Sequence, residues 1–123
     1  MTIGTDVVAS LGGIGLTAIY RGKAPADAVE PFATFIRKPH VNEYSLDKVR
    51  QITPVEVAIY IWDAISNFDN TEQIAADAYA QLESYTSASV RGVFLQGQSD
   101  VRDKSGWGLL GTEIRAIFHT IDP

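Results

Sequence analysis

Between Thr53 and Tyr85 the chain passes from a period of two to a period near 3.6. Val55, Val57, Ile59 and Ile61 alternate with Pro54, Glu56, Ala58, Tyr60 and Trp62. This predicts a strand with β-branched residues on one face and mixed residues on the other. Turn formers interrupt the pattern from Asp63 to Asn70. Asp69 and Glu72 then have the spacing of a helix start, where side chains satisfy the free N–H groups of the first turn. Ile74, Ala75, Ala78, Leu82 and Tyr85 follow at helical spacing. The stripe Ile74/Ala78/Leu82 is expected to lie on the Val55/Val57/Ile59/Ile61 face, each large aliphatic contributing about 1.5–3 kcal/mol on burial.

The remaining pattern is weaker but ordered. Thr5 to Leu11 predicts a short helix stopped by Gly12-Gly13, and Leu16 to Tyr20 a short strand. Arg21 to Pro31 reads as a loop. Phe32 to Lys38 reads as a strand with Phe32, Thr34 and Ile36 on one side and Ala33, Phe35 and Arg37 on the other. Pro39 to Gln51 is polar and reads as a long loop or hairpin tip, and Ser87 to Ser89 as a turn. Val90 to Gln96 predicts a strand ended by Gly97, and Ser99 to Gly106 a charged loop. Leu109 to Ile121 is the last strand, with Leu110, Thr112, Ile114, Ala116 and Phe118 on one face. The predicted order is α-β-β-β-α-β-β, an α+β class with a mostly antiparallel sheet and one main helix on one face. No repeat, low-complexity tract or linker divides residues 1–123, so one domain is expected.

Composition narrows the chemistry. The chain has 123 residues and 46% hydrophobic content, enough for a core. It has no Cys, which excludes disulfides, Cys–Zn sites and thiol catalysis. Val7 to Tyr20 is apolar but too short for a membrane span. No basic residue precedes it, so neither a membrane anchor nor a signal peptide is expected, and a soluble intracellular protein is. Net charge is −5, yet Gln51 to Val90 contains no Lys or Arg. Two readings of that acidic block stand: a solvated face, or a surface that passes nucleic acid without holding it. Tight phosphate binding is disfavoured by either.

Motifs for catalysis are weak. Gly13, Gly15 and Ala18 match G-x-G-x-x-A, but no helix start follows, so a turn is the better reading than a nucleotide site. His40 and His119 are isolated in sequence, and no Ser occupies a nucleophile elbow. Asp100 and Asp103 flank Arg102 and read as a solvated charge cluster. No cofactor, metal or catalytic residue is predicted. Trp107, between two glycines, and Tyr60 and Trp62, on the strand face away from the core, read either as ordinary packing or as partner contacts. A sheet face without a helix needs cover, which another subunit could supply.

The order of segments then carries a resemblance. Ile19-Tyr20 and Ala24-Pro25 precede Pro31-Phe32-Ala33-Thr34-Phe35, the strand Val55 to Asp63, the helix Thr71 to Leu82, and Glu113-Ile114-Arg115-Ala116-Ile117-Phe118. This series, from about residue 16 to 120, resembles the tail-completion or tail-terminator proteins of long-tailed bacteriophages and of phage-derived gene-transfer particles. The short first helix and the absence of basic residues from the main helix depart from that pattern. The resemblance implies a structural virion protein without catalysis. It would form a homo-hexameric ring that caps the tail tube, stops its polymerisation and joins the tail to the head connector or adaptor. DNA would pass through without specific binding. Its partners would be itself, the tail-tube protein and the connector, with no membrane. Its location would be the tail–head junction of the virion, after assembly in the host cytoplasm. Such a ring needs heterologous interfaces. The candidate interface residues are Arg37, Lys38, Tyr44, Tyr60, Trp62, Asp100, Arg102 and Trp107, drawn from the two polar loops and the outer strand face. The alternative expectation is a small α+β ligand-binding or enzymatic module dimerising through its sheet, with a pocket around Arg37, His40 and Tyr44.

Overall fold

The computed structural model describes residues 3–25, 27–38, 52–64, 68–88, 90–102 and 109–121. The elements are α1 (Ile3–Ser10), β1 (Ala18–Arg21), β2 (Phe32–Arg37), β3 (Ile52–Ala64), α2 (Phe68–Glu83), β4 (Val90–Arg102) and β5 (Leu109–Ile121). The order and the α+β class agree with the hydrophobic pattern. The strands form one sheet in the order β1-β2-β3-β5-β4. Three of its pairings are antiparallel, and β1 runs parallel to β2, so the sheet is mixed.

Both helices lie on one face of this sheet. The stripe Ile74, Ala78 and Leu82 is buried with Val55, Val57, Ile59 and Ile61, as the two periods predict, and Ile114, Ala116 and Phe118 of β5 complete that core. The helix α2 packs across β3, β4 and β5. The first helix contributes Val7 and Leu11 to the same core, beside Ala33 and Phe35 of β2. Its end is tied to α2. Gln81 Nε2–H groups donate to the carbonyls of Ser10 (2.9 Å) and Gly12 (2.8 Å), which supplies partners for groups that a helix C-terminus leaves free. Asp6, buried on α1, accepts hydrogen bonds from Tyr85 Oη (2.7 Å) and Ser87 Oγ (2.8 Å), so the segment after α2 is also anchored to α1.

Several boundaries differ from the sequence pattern: α1 spans Ile3–Ser10, not Thr5 to Leu11, and β2 ends at Arg37, not Lys38. β1 starts at Ala18, not Leu16, because the strand exists only where it pairs with Phe32 to Phe35; Thr17 is held just before it by a bond from its N–H to the Pro31 carbonyl (2.7 Å). The helix α2 starts at Phe68, so Asp69 is its second residue and does not precede it. β3 runs on through Asp63 and Ala64, where turn formers suggested a break, because Leu109 and Leu110 of β5 continue to pair with it. β4 does not end at Gly97 but continues to Arg102, so Ser99 to Arg102 are strand where a charged loop was expected. The cause is a register shift between Leu95 and Gly97, with Gly97 at φ +148°. A β-bulge lets the strand take up one extra residue and go on, and glycine reaches that backbone conformation at little cost.

Pro54 sits inside β3 without breaking it. Lys38 N–H donates to the Glu56 carbonyl (2.8 Å), so even-numbered residues of β3 turn their main-chain groups toward β2. Pro54 has that parity and lies past Val57, the last β3 residue paired with β2. Its missing N–H therefore removes no bond between the described strands.

A candidate assembly surface on the sheet

The sheet face away from the helices is built by register. Trp62 stands beside Phe32 and Gly111, Tyr60 beside Thr34 and Glu113, and Ala58 beside Ile36 and Arg115. Trp62 lies flat across β5. A Cβ built on Gly111 would come within 2.7 Å of Trp62 Cε3, so only glycine leaves room for the indole. Trp62 Nε1–H donates to Thr34 Oγ1 (3.1 Å), and the ring stacks on Tyr60 with 6.0 Å between centroids. Phe32, Ala24, Tyr20 and Ala28 pack against Trp62 in a small second core, so the Arg21–Pro31 segment covers this corner of the face.

Next to that corner is a polar row. Arg115 Nε–H donates to Glu113 Oε1 (2.9 Å), and the Tyr60 hydroxyl donates to the same carboxylate. These bonds, Tyr60 first and Arg115 second, hold the Glu113 carboxyl below its usual range, with a weaker pull from the Lys38 ammonium. Burial, and then the bond to Glu113, push the Tyr60 phenol up. The Arg115 side chain stays 60% exposed. A carboxylate held this low is a poor proton acceptor at neutral pH, whereas the network it forms is well suited to fixing the direction of Arg115.

The other predicted residues fall in different places. Lys38 follows β2 and is half-buried near Glu113; Arg37, opposite Val57, is exposed at the end of β2. Asp100 and Arg102 lie on β4, opposite Thr112 and Leu110 of β5. Tyr44 and Trp107 lie outside the described residues, as do His40 and most of the Arg37–Arg50 loop expected to make docking contacts. The structure therefore puts Lys38, Tyr60 and Trp62 on one face and leaves Arg37, opposite the core residue Val57, apart from them. The glycine-rich match at Gly13, Gly15 and Ala18 follows a helix and opens a strand, the reverse of the order that a dinucleotide site requires.

Sequence reasoning missed Glu113, Arg115, Gly111 and Phe94. The alternation of β5 put Glu113 and Arg115 on its second face, but only the pairing with β3 shows which residues they meet. Phe94 carried a readable signal, as an aromatic between Gly92 and Gln96 on the strand side away from Val93 and Leu95. It is 66% exposed and meets the His119 ring edge-on at 4.7 Å. At the opposite edge of the sheet, Val8 and Ala9 of α1, Ile19 and Arg21 of β1 and Phe35 of β2 line a shallow, mostly apolar groove.

No family model and no curated protein matches the chain. Among solved structures, it is similar to a chain described as "Virion of native gene transfer agent (GTA) particle", with a TM-score of 0.63 and 14% sequence identity. The likeness covers 94% of this chain and 84% of that one, so the two share a fold over almost their whole lengths.

Proposed function

We propose that this chain is a structural component of a phage-like virion. Its role is that of a tail terminator, a ring of identical copies that caps the tail tube, ends tube polymerisation and joins the tail to the head connector or adaptor. The observation that carries the reading is the shared fold with a chain from a gene transfer agent particle, aligned over 94% of this chain and without large unmatched parts on either side. The shape of the molecule supports it. The helices cover one sheet face, the other presents the Tyr60–Glu113–Arg115 row, and the two sheet edges differ from each other. Unlike edges suit head-to-tail contacts, which close into rings. DNA would pass the ring without sequence recognition, and the location would be the tail–head junction.

The test is electron microscopy of particles from a strain lacking this gene. Overlong tails or heads without tails are expected, with joining restored by the gene in trans. Normal particles would end the proposal.

A further inference from the structure

The sheet face away from the helices carries exposed apolar groups on two flanks. Phe94 of β4 stands opposite Ile117, and Ile36 of β2, 38% exposed, stands opposite Ala58. The two strands between those flanks carry opposite charges. On β5, Arg115 is fixed through its Nε–H by Glu113 and is otherwise exposed. On β3, Ala58 is opposite Arg115, and Glu56, the next residue of that face, is opposite Ile117. The bond from the Lys38 N–H to the Glu56 carbonyl places Lys38 beside Glu56 on the same face. Lys38 and Arg115 thus balance Glu56 and Glu113 here. Exposed Arg91 lies beyond Phe94, at the bulge between Val90 and Gly92. On the opposite side of the molecule, α2 exposes Glu72, Asp77 and Glu83 and has no basic residue.

We propose that this open face is covered by the same face of a second copy, paired about a two-fold axis that runs along the strands between β3 and β5. A half-turn about that axis keeps position along the strands. In the order β1-β2-β3-β5-β4 it lays β4 of one copy over β2 of the other, and β5 over β3. Phe94 then meets Ile36 and Lys38 of the second copy, an apolar contact with a cation beside the ring. Arg115 comes over Ala58, whose side chain is too small to obstruct it, and reaches Glu56 of the second copy. Each contact occurs twice, as an isologous interface requires. A second copy is favoured over an unrelated protein because each group on the face finds its complement on the same face half a turn away. Two sheets packed within about 30° of alignment are a common arrangement. The helix sides could not pair in this way, since the acids of α2 would repel one another. The pairing goes beyond the ring reading and leaves both sheet edges free for it.

Charge reversal tests the pairing. By sedimentation velocity at near-millimolar concentration, wild type should dimerise. Glu56→Arg and Arg115→Glu each set like charges together at both contacts, so each variant alone should dimerise about thirty-fold or more weakly. An equimolar mixture of the two should recover a one-to-one heterodimer, its composition read by native mass spectrometry, because every contact in it again joins opposite charges. Phe94→Asp, at an exposed site outside the Glu113 network, should weaken dimerisation to a similar degree. It keeps the test decisive should Arg115→Glu lower the stability of the fold, and thermal melts show which variants are folded. A wild type that stays monomeric, folded variants that associate like wild type, or a mixture of folded variants that recovers nothing would each overturn the pairing. Any of these would leave the terminator role standing. Normal particles without the gene would remove that role and leave the pairing standing.

Discussion

At the scale of single residues, two packing arrangements concentrate the stability. Gly111 is where the backbone of β5 passes under the Trp62 ring, and the indole is held from its far side by Thr34. Gly111→Ala must push the ring aside or bend β5, so it should cost about 1–3 kcal/mol, as overpacking does. Urea unfolding would measure this, and the near-UV circular dichroism of the folded variant should change as the Tyr60–Trp62 stack opens. Asp6 is the second case. Both of its hydrogen bonds enter the same carboxylate oxygen, so Asn can retain them and Ala cannot. Asp6→Ala should cost about 2–4 kcal/mol by leaving Tyr85 and Ser87 without their acceptor, and Asp6→Asn clearly less. Equal losses from the two substitutions would show that the hydrogen bonds are not the source of the effect.

At the scale of elements, α1 depends on α2 more than on itself. A helix of eight residues is too short to persist alone, so its C-terminal carbonyls rely on Gln81 and its apolar side on Val7 and Leu11. Gln81→Ala should raise hydrogen exchange in Ile3–Ser10 while leaving the β3 and β5 amides protected, with a global loss of about 1 kcal/mol. The sequence made the core elements legible because their periodicity is strong. Val55 to Ile61, Ile74 to Leu82 and Ile114 to Phe118 fall where their alternation puts them. Pairing was not legible. Gly97 reads as a stop because nothing local distinguishes a bulge from a strand end; only the thirteen-residue β5 beside it carries β4 onward. The same limit hid the outer face. Tyr60 and Trp62 were visible as outward residues, but Glu113, Arg115 and Gly111 become their neighbours only through a register between segments some fifty positions apart.

At the scale of the whole molecule, charge sets the conditions under which the fold and its assembly hold. Glu113 is held below its ordinary value of 4.5, so the contribution of its network is complete above that value. It is lost as pH falls toward and through the folded-state value. Tyr60 and Tyr85 are raised above 10.0, Tyr85 by burial and then by its bond to Asp6. Their contributions are complete below 10.0 and decline as pH rises past it. Urea unfolding across pH should therefore show a plateau with a falling limb at each end. Glu113→Gln should shrink the acid limb, and Tyr85→Phe the alkaline one.

The proline within β3 has a consequence for company rather than for folding. Past Val57 no described residue pairs with β3 on its β2 side, and a strand start of that kind is a rim that an errant strand could grip. By withholding a donor there, Pro54 dulls that rim. Pro54→Val should leave the monomer as stable as before, yet make it prone to clump by strand capture. Turbidity on standing would reveal the change where a melting curve would not.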